Sequence, residues 1–142
     1  MGHKSLFNKL IHFTNSVYSV TYELSKDEKP DHLTTVQYDI LVFIALKKQT
    51  TPSHISECLH ISIPNVSREL KKLAEHHLII KTPDVVDRRK QLIELSEQGG
   101  QLMEQVYERI FANFKNRVHN ASQSELDEID HAIDLLKKHL YF

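Results

Sequence analysis

Asn65, Ser67, Arg68 and Lys71 fall within one seven-residue stretch, and Asp87, Arg88, Arg89 and Lys90 follow further on as an unbroken charged run. Asparagine, serine and arginine carry donors and acceptors that match base edges, while lysine and arginine displace counterions from phosphates. Such a set suits recognition of a nucleic acid rather than bond making. The other reactive candidates are ten histidines and Cys58, the one cysteine. His12, His32, His54, His119, His131 and His139 are the candidates for metal ligands. No predicted helix carries a His-x3-His pair, so no dedicated metal site is expected. Cys58 stands four residues after His54, a spacing at which an imidazole could activate a thiol, so a thiol-responsive or metal-responsive protein is the alternative reading. There is no glycine-rich phosphate loop, no nucleophile elbow and no supported Ser, His and Asp set, so neither catalysis nor a cofactor is expected.

Charge is placed where those residues stand. Eighteen basic groups face nineteen acidic ones in the 142-residue chain, which excludes a uniformly basic coat. Yet the segment 47–94 holds nine basic against six acidic groups, whereas 95–142 holds five against eight. A length of 142 residues is that of one domain, and the composition excludes collagen-like, disordered and repeat classes. The longest apolar run, Ile40 to Leu46, is far shorter than the roughly 18 to 20 residues of a membrane span. No apolar signal core opens the chain. A cytoplasmic protein without membrane contact is expected, and a lone cysteine fits a reducing compartment.

The elements that must position these residues follow from periodicity and caps. Apolar residues from Leu6 to Leu24 recur at helical spacing over a wide face, so a long first helix buried along much of its girth is predicted. Thr34 with Gln37 forms a capping box before an apolar helix from Val36 to Leu46. Thr51 and Pro52 open a short third helix that runs to about Leu59, and Ser62 caps a fourth in which Val66, Leu70 and Leu73 share one face. Leu78 to Thr82 and Gln91 to Leu95 read as a β-hairpin with a charged tip. Ser96 caps a long fifth helix carrying Leu102, Val106, Ile110 and Phe114, and Ser122 with Glu125 caps the last. There Leu126, Ile129, Ile133, Leu136 and Leu140 make a heptad seam that calls for a partner helix, either within the chain or on a second copy. Helix, three-residue turn, helix and hairpin, in that order, form a winged helix-turn-helix. The expected fold is therefore mainly α (α+β), with a small β-hairpin wing and long terminal helices.

Several of these stretches resemble the MarR family of regulators. Leu33-Thr34-Thr35-Val36-Gln37-Tyr38-Asp39-Ile40-Leu41 looks like the opening of its second helix, and Val66-Ser67-Arg68 with Leu70 and Leu73 looks like its recognition helix. Asp87-Arg88-Arg89, followed by Leu92 to Gly99, looks like its wing and the helix after it. The resemblance implies a homodimeric regulator, most often a repressor, that binds double-stranded DNA at a pseudo-palindromic operator and is released by a small-molecule inducer. In it, residues 1–32 and 97–142 dimerise, with Leu126, Ile129, Ile133, Leu136 and Leu140 at the interface, and 33–96 binds DNA. Ser62, Ile63, Pro64, Asn65, Ser67, Arg68 and Lys71 would face the major groove; Asp87 would hold Arg89 for the minor groove, beside Arg88 and Lys90. Phe13, Val17, Tyr38 and Phe114 are candidates for lining the inducer cleft. His76-His77 replaces a joint that is often glycine in the family, and histidine tolerates the left-handed backbone such a joint needs. A dimeric protein-interaction module of the same fold that lacks DNA binding is the remaining alternative.

Overall fold

Side-chain caps start the helices where their sequences place them. In the computed structural model, which describes residues 2–141, Thr34 and Gln37 cap each other's backbone amides at the start of α2 (Thr35–Lys47). Thr51 accepts from the His54 amide before α3 (Pro52–Leu59), and Ser62 accepts from the Asn65 amide before α4 (Ile63–Glu75). Ser96 accepts from the Gly99 amide at 2.9 Å as α5 (Glu97–Arg117) begins. Ser122 and Glu125 repeat the capping box before α6 (Gln123–Leu136). Each cap satisfies amides that the first helical turn leaves unpaired, for about 1 kcal/mol apiece.

The chain divides after Ile110 into two compact units. In the first, Ile40, Leu41 and Ile44 of α2 meet Ile55 of α3, Val66, Leu70 and Leu73 of α4, Ile93 of the sheet, and Met103 and Val106 of α5 in one buried cluster. At roughly 1.5 to 3 kcal/mol for each large apolar side chain, this burial is what holds α4 in place. Because Val66, Leu70 and Leu73 point inward, the polar residues between them must face out.

The wing is part of a three-stranded antiparallel sheet, not a lone hairpin. Strand β2 (Ile79–Pro83) pairs with β3 (Gln91–Leu95) in the register Ile79 to Leu95 and Pro83 to Gln91. On the other side of β3 lies β1 (Gln49–Thr50), two residues opposite Glu94 and Ile93, fastened by a 2.9 Å bond from Gln49 Nε2 to Glu94 Oε1. The first wing strand lies one residue later than its Leu78 to Thr82 reading, because Leu78 closes α4: its amide bonds the Leu73 carbonyl. Two joints that lack glycine take a left-handed backbone on histidine, with φ of 55° at His60 and 60° at His77, as proposed for the second; Lys48 has φ 65°.

Burial corrects the reading of α1 (His3–Ser25). None of its residues is buried, and Leu6, Phe7, Ile11, Phe13 and Val17 are exposed. A broad apolar face shows that a helix needs cover; it does not show that the same chain supplies it. The last helix also departs from its expected course. The α-helical winding ends at Leu136 and a π-turn (Lys137–Tyr141) follows, so Leu140 sits outside the regular spacing that joins Leu126, Ile129, Ile133 and Leu136. Among the described residues, no helix is long and apolar enough to cross a membrane.

Candidate nucleic-acid interface

The outward face of α4 presents the recognition set together. Ser62, Ile63, Pro64, Asn65, Ser67, Arg68 and Lys71 are all exposed, on the side opposite Val66, Leu70 and Leu73. The first turn has less anion capacity than a helix start usually offers. Pro64 has no amide, and the Asn65 amide is taken by the Ser62 hydroxyl at 3.4 Å, which leaves that of Ile63. Arg68 donates to the Asn65 side-chain oxygen, so the two residues best suited to base edges are joined along one helix face. Neither the pairing nor its orientation was read from the sequence, although three-residue spacing on a helix permits it.

A buried polar link aims this helix. Gln37 caps α2 with its side-chain oxygen and donates from Nε2 to Glu69 of α4 at 3.0 Å, with only 6% of its surface exposed. Glu69 in turn pairs with Lys72 at 3.5 Å. Gln37 was legible as a cap, but its contact 32 residues away was not.

The wing turn is built around two aspartates. Asp84 Oδ1 accepts from the Val86 amide at 2.9 Å, and the Asp84 amide bonds the Lys90 carbonyl at 2.9 Å across the base of the loop. Asp87 Oδ1 accepts from the Arg89 amide at 3.1 Å and lies 3.5 Å from Arg89 Nε. Arg89 is 94% exposed, so this ion pair adds little stability, of order 0 to 1 kcal/mol; its effect is to orient the guanidinium. Arg88 and Lys90 flank it, also exposed, and Val85 and Val86 form the tip at 92% and 96% exposure.

Arg88, Arg89, Lys90 and Gln91 also line a groove of about 520 Å³ against Thr51, Pro52 and Ser53, where α3 starts. Three cations beside a helix N-terminus suit a phosphate. Thr51, Ser53 and Gln91 were not among the sequence candidates; the Thr51-Pro52 start signal marks the helix end but not what faces it.

The remaining candidates are scattered. Of the four proposed cleft residues, Tyr38 is buried, whereas Phe13, Val17 and Phe114 are 51%, 44% and 44% exposed. Cys58 is exposed, and His54 does not turn to it: its Nδ1 lies 3.2 Å from Thr50 Oγ1 and its ring meets Phe43 edge-on at 5.3 Å. Burial of Thr50 and packing on Phe43 outcompete a contact at helical spacing. Among the described residues, no three His, Cys, Asp or Glu side chains gather into a metal-binding group.

A mainly helical lobe with a capped recognition helix, a three-stranded sheet and a basic turn is a winged helix-turn-helix. Residues 33–90, most of that lobe, match the model of the MarR family. The chain is 27% identical over 108 residues to the HTH-type transcriptional regulator YdgG of Bacillus subtilis, covering 75% of this chain and 71% of that protein. Its fold is similar to that of a transcriptional regulator from Thermotoga maritima, with a TM-score of 0.68 at 21% identity over 89% of this chain and 92% of the other. It is also similar to an Escherichia coli MarR mutant complexed with operator DNA, at a TM-score of 0.58 and 23% identity over 95% and 98% of the two chains. Over residues 33–90 the chain is thus similar to the MarR family of transcriptional regulators, and its fold is that of the solved structures named.

Proposed function

We propose that this chain is a cytoplasmic, sequence-specific regulator that binds double-stranded DNA as a homodimer, represses transcription, and is released by a small molecule. The observation that carries the reading is the wing turn, where Asp87 orients an otherwise exposed Arg89 between Arg88 and Lys90. A planar cation held outward on a narrow β-turn suits the minor groove. The outward face of α4 suits the major groove, with Arg68 and Asn65 toward bases and Lys71 toward phosphate. The similar MarR fold in complex with operator DNA supports this use of the lobe. Uncovered apolar residues on α1 and, separately, on α6 support a second copy as partner.

The test is a mobility-shift titration against the promoter of the chain's own gene at two salt concentrations. Wild type should lose affinity steeply as salt rises. Arg89→Ala should weaken binding by roughly 1 to 3 kcal/mol, and Arg68→Ala should also relax base preference. Wild-type affinity in both variants would discard this DNA surface.

A further inference from the structure

Val85 and Val86 stand at the tip of the wing almost wholly exposed, and they belong neither to the buried core nor to the half-buried apolar residues packed on it. Folding therefore gives no reason for two adjacent valines at a point where a turn ordinarily carries polar residues. The loop that holds them is not slack. Pro83 and Gln91 pair at the ends of β2 and β3, and the Asp84 amide bonds the Lys90 carbonyl. Within the loop, Asp84 Oδ1 accepts from the Val86 amide at 2.9 Å, and the Lys90 amide bonds the Asp87 carbonyl at 2.9 Å. Valine is itself stiff about its first side-chain torsion, so the tip is a preformed apolar knob that loses little freedom on contact. Arg88, Arg89 and Lys90 follow in the same loop, all exposed.

We propose that Val85 and Val86 enter the minor groove of duplex DNA with Arg89 and pack on its deoxyribose walls, a contact that holds the wing in place without counterion release. The minor groove offers an apolar knob beside cations both of its partners at once, since its walls are sugar C–H groups and its rims are phosphates. Competing surfaces fit less well. A single myristoyl chain holds a protein to a bilayer only marginally, so two valines give a lipid surface far too little, and a stable protein interface buries on the order of 1,000 Å² or more. The contact also suits the charge of the molecule. With 18 basic against 19 acidic groups the chain gains little from long-range attraction, and an apolar contact that salt does not screen offsets that. The assignment rests on the regulator reading and deepens it, from a cation held in the groove to an apolar anchor beside it.

The test is the double substitution Val85→Thr with Val86→Thr in the full chain, because threonine keeps the branched shape and the stiff torsion while replacing a methyl with a hydroxyl. Titrated against the same promoter duplex between about 50 and 200 mM salt, the variant should bind at least about threefold more weakly than wild type, by the same factor at every salt concentration. Lys90→Ala is the contrast: it should lower the salt slope by about one. Hydroxyl radicals attack deoxyribose from the minor groove, so footprinting at saturation should show sugars that wild type protects and the threonine variant leaves open. A smaller loss, a loss that shrinks as salt rises, or sugars still protected would each overturn the assignment. So would capture of wild type but not the variant by phosphatidylglycerol vesicles with DNA affinity equal, which would place the tip on a membrane. In all these outcomes wild type binds DNA and the regulator reading stands; absence of salt-dependent binding by wild type would remove that reading and this contact with it.

Discussion

Gly99 sits so close to the backbone before the wing that a Cβ built on it would lie 2.0 Å from the Leu78 carbonyl oxygen. That carbonyl also accepts from the Ser96 amide at 3.1 Å, and the Ser96 hydroxyl donates to the His77 carbonyl at 2.5 Å. One residue without a side chain thus lets the start of α5 dock on the joint between α4 and β2. Gly99→Ala should lower stability by roughly 1 to 3 kcal/mol, because backbone rather than a flexible side chain must yield. An unchanged midpoint in urea unfolding would show that the joint relaxes freely. At this scale the sequence was legible wherever an interaction is local. Thr34 with Gln37, Thr51 with Pro52, and Ser122 with Glu125 act within one turn, and the structure shows each cap. The bond from Gln37 to Glu69 was hidden because no pattern in either segment marks a partner 32 residues off.

Among the elements, α6 shows how a cap responds to acid. Glu125 accepts the Ser122 amide at 2.8 Å, and this backbone bond, with the Ser122 hydroxyl second, holds its carboxyl below the usual range. A carboxyl lowered by folding stabilises fully above the unfolded pKa, and that contribution disappears as pH falls through the folded value. Amides in the first turn of α6 should therefore exchange faster as pH drops from about 5 to about 3, beyond the intrinsic change, and Glu125→Gln should flatten that dependence. Equal acid sensitivity in the variant would place the cause elsewhere. Helices and the two wing strands were readable because each is long enough to show a period. Strand β1 was not: two residues have no period, and Gln49 and Thr50 become a strand only because Glu94 and Ile93 lie opposite.

For the whole molecule, apolar residues without cover raise the question of assembly. Ile129 and Ile133 are 51% and 49% exposed on α6, and α1 has no buried residue at all. Solvated patches of this kind mark contact surfaces. The double substitution Ile129→Glu and Ile133→Glu should convert a dimer to a monomer in sedimentation velocity and weaken operator binding, with the fold of the DNA-binding lobe retained. A variant that sediments as wild type would remove α6 from the interface. The sequence showed that these faces need partners, through spacing alone, but periodicity is silent on whether the partner is the same chain. That is why α1 was read as buried. Of the cleft that Tyr38 shares with Leu24, Val42 and Tyr107, only Tyr38 was legible, since a pocket made by residues from three helices leaves no local signature.

The order of the sheet, β1-β3-β2, leaves the outer edge of β2 without a neighbouring strand among the described residues. Such an edge is a template on which another molecule can add a strand, and Ile80, 46% exposed, would make the addition adhesive. Pro83 ends the strand with a residue that has no amide to offer, and Lys81 places a charge within it. The wing therefore carries its own guard against aggregation. In a cell that holds many copies of the protein, losing Pro83 and Lys81 would threaten solubility before it touched recognition.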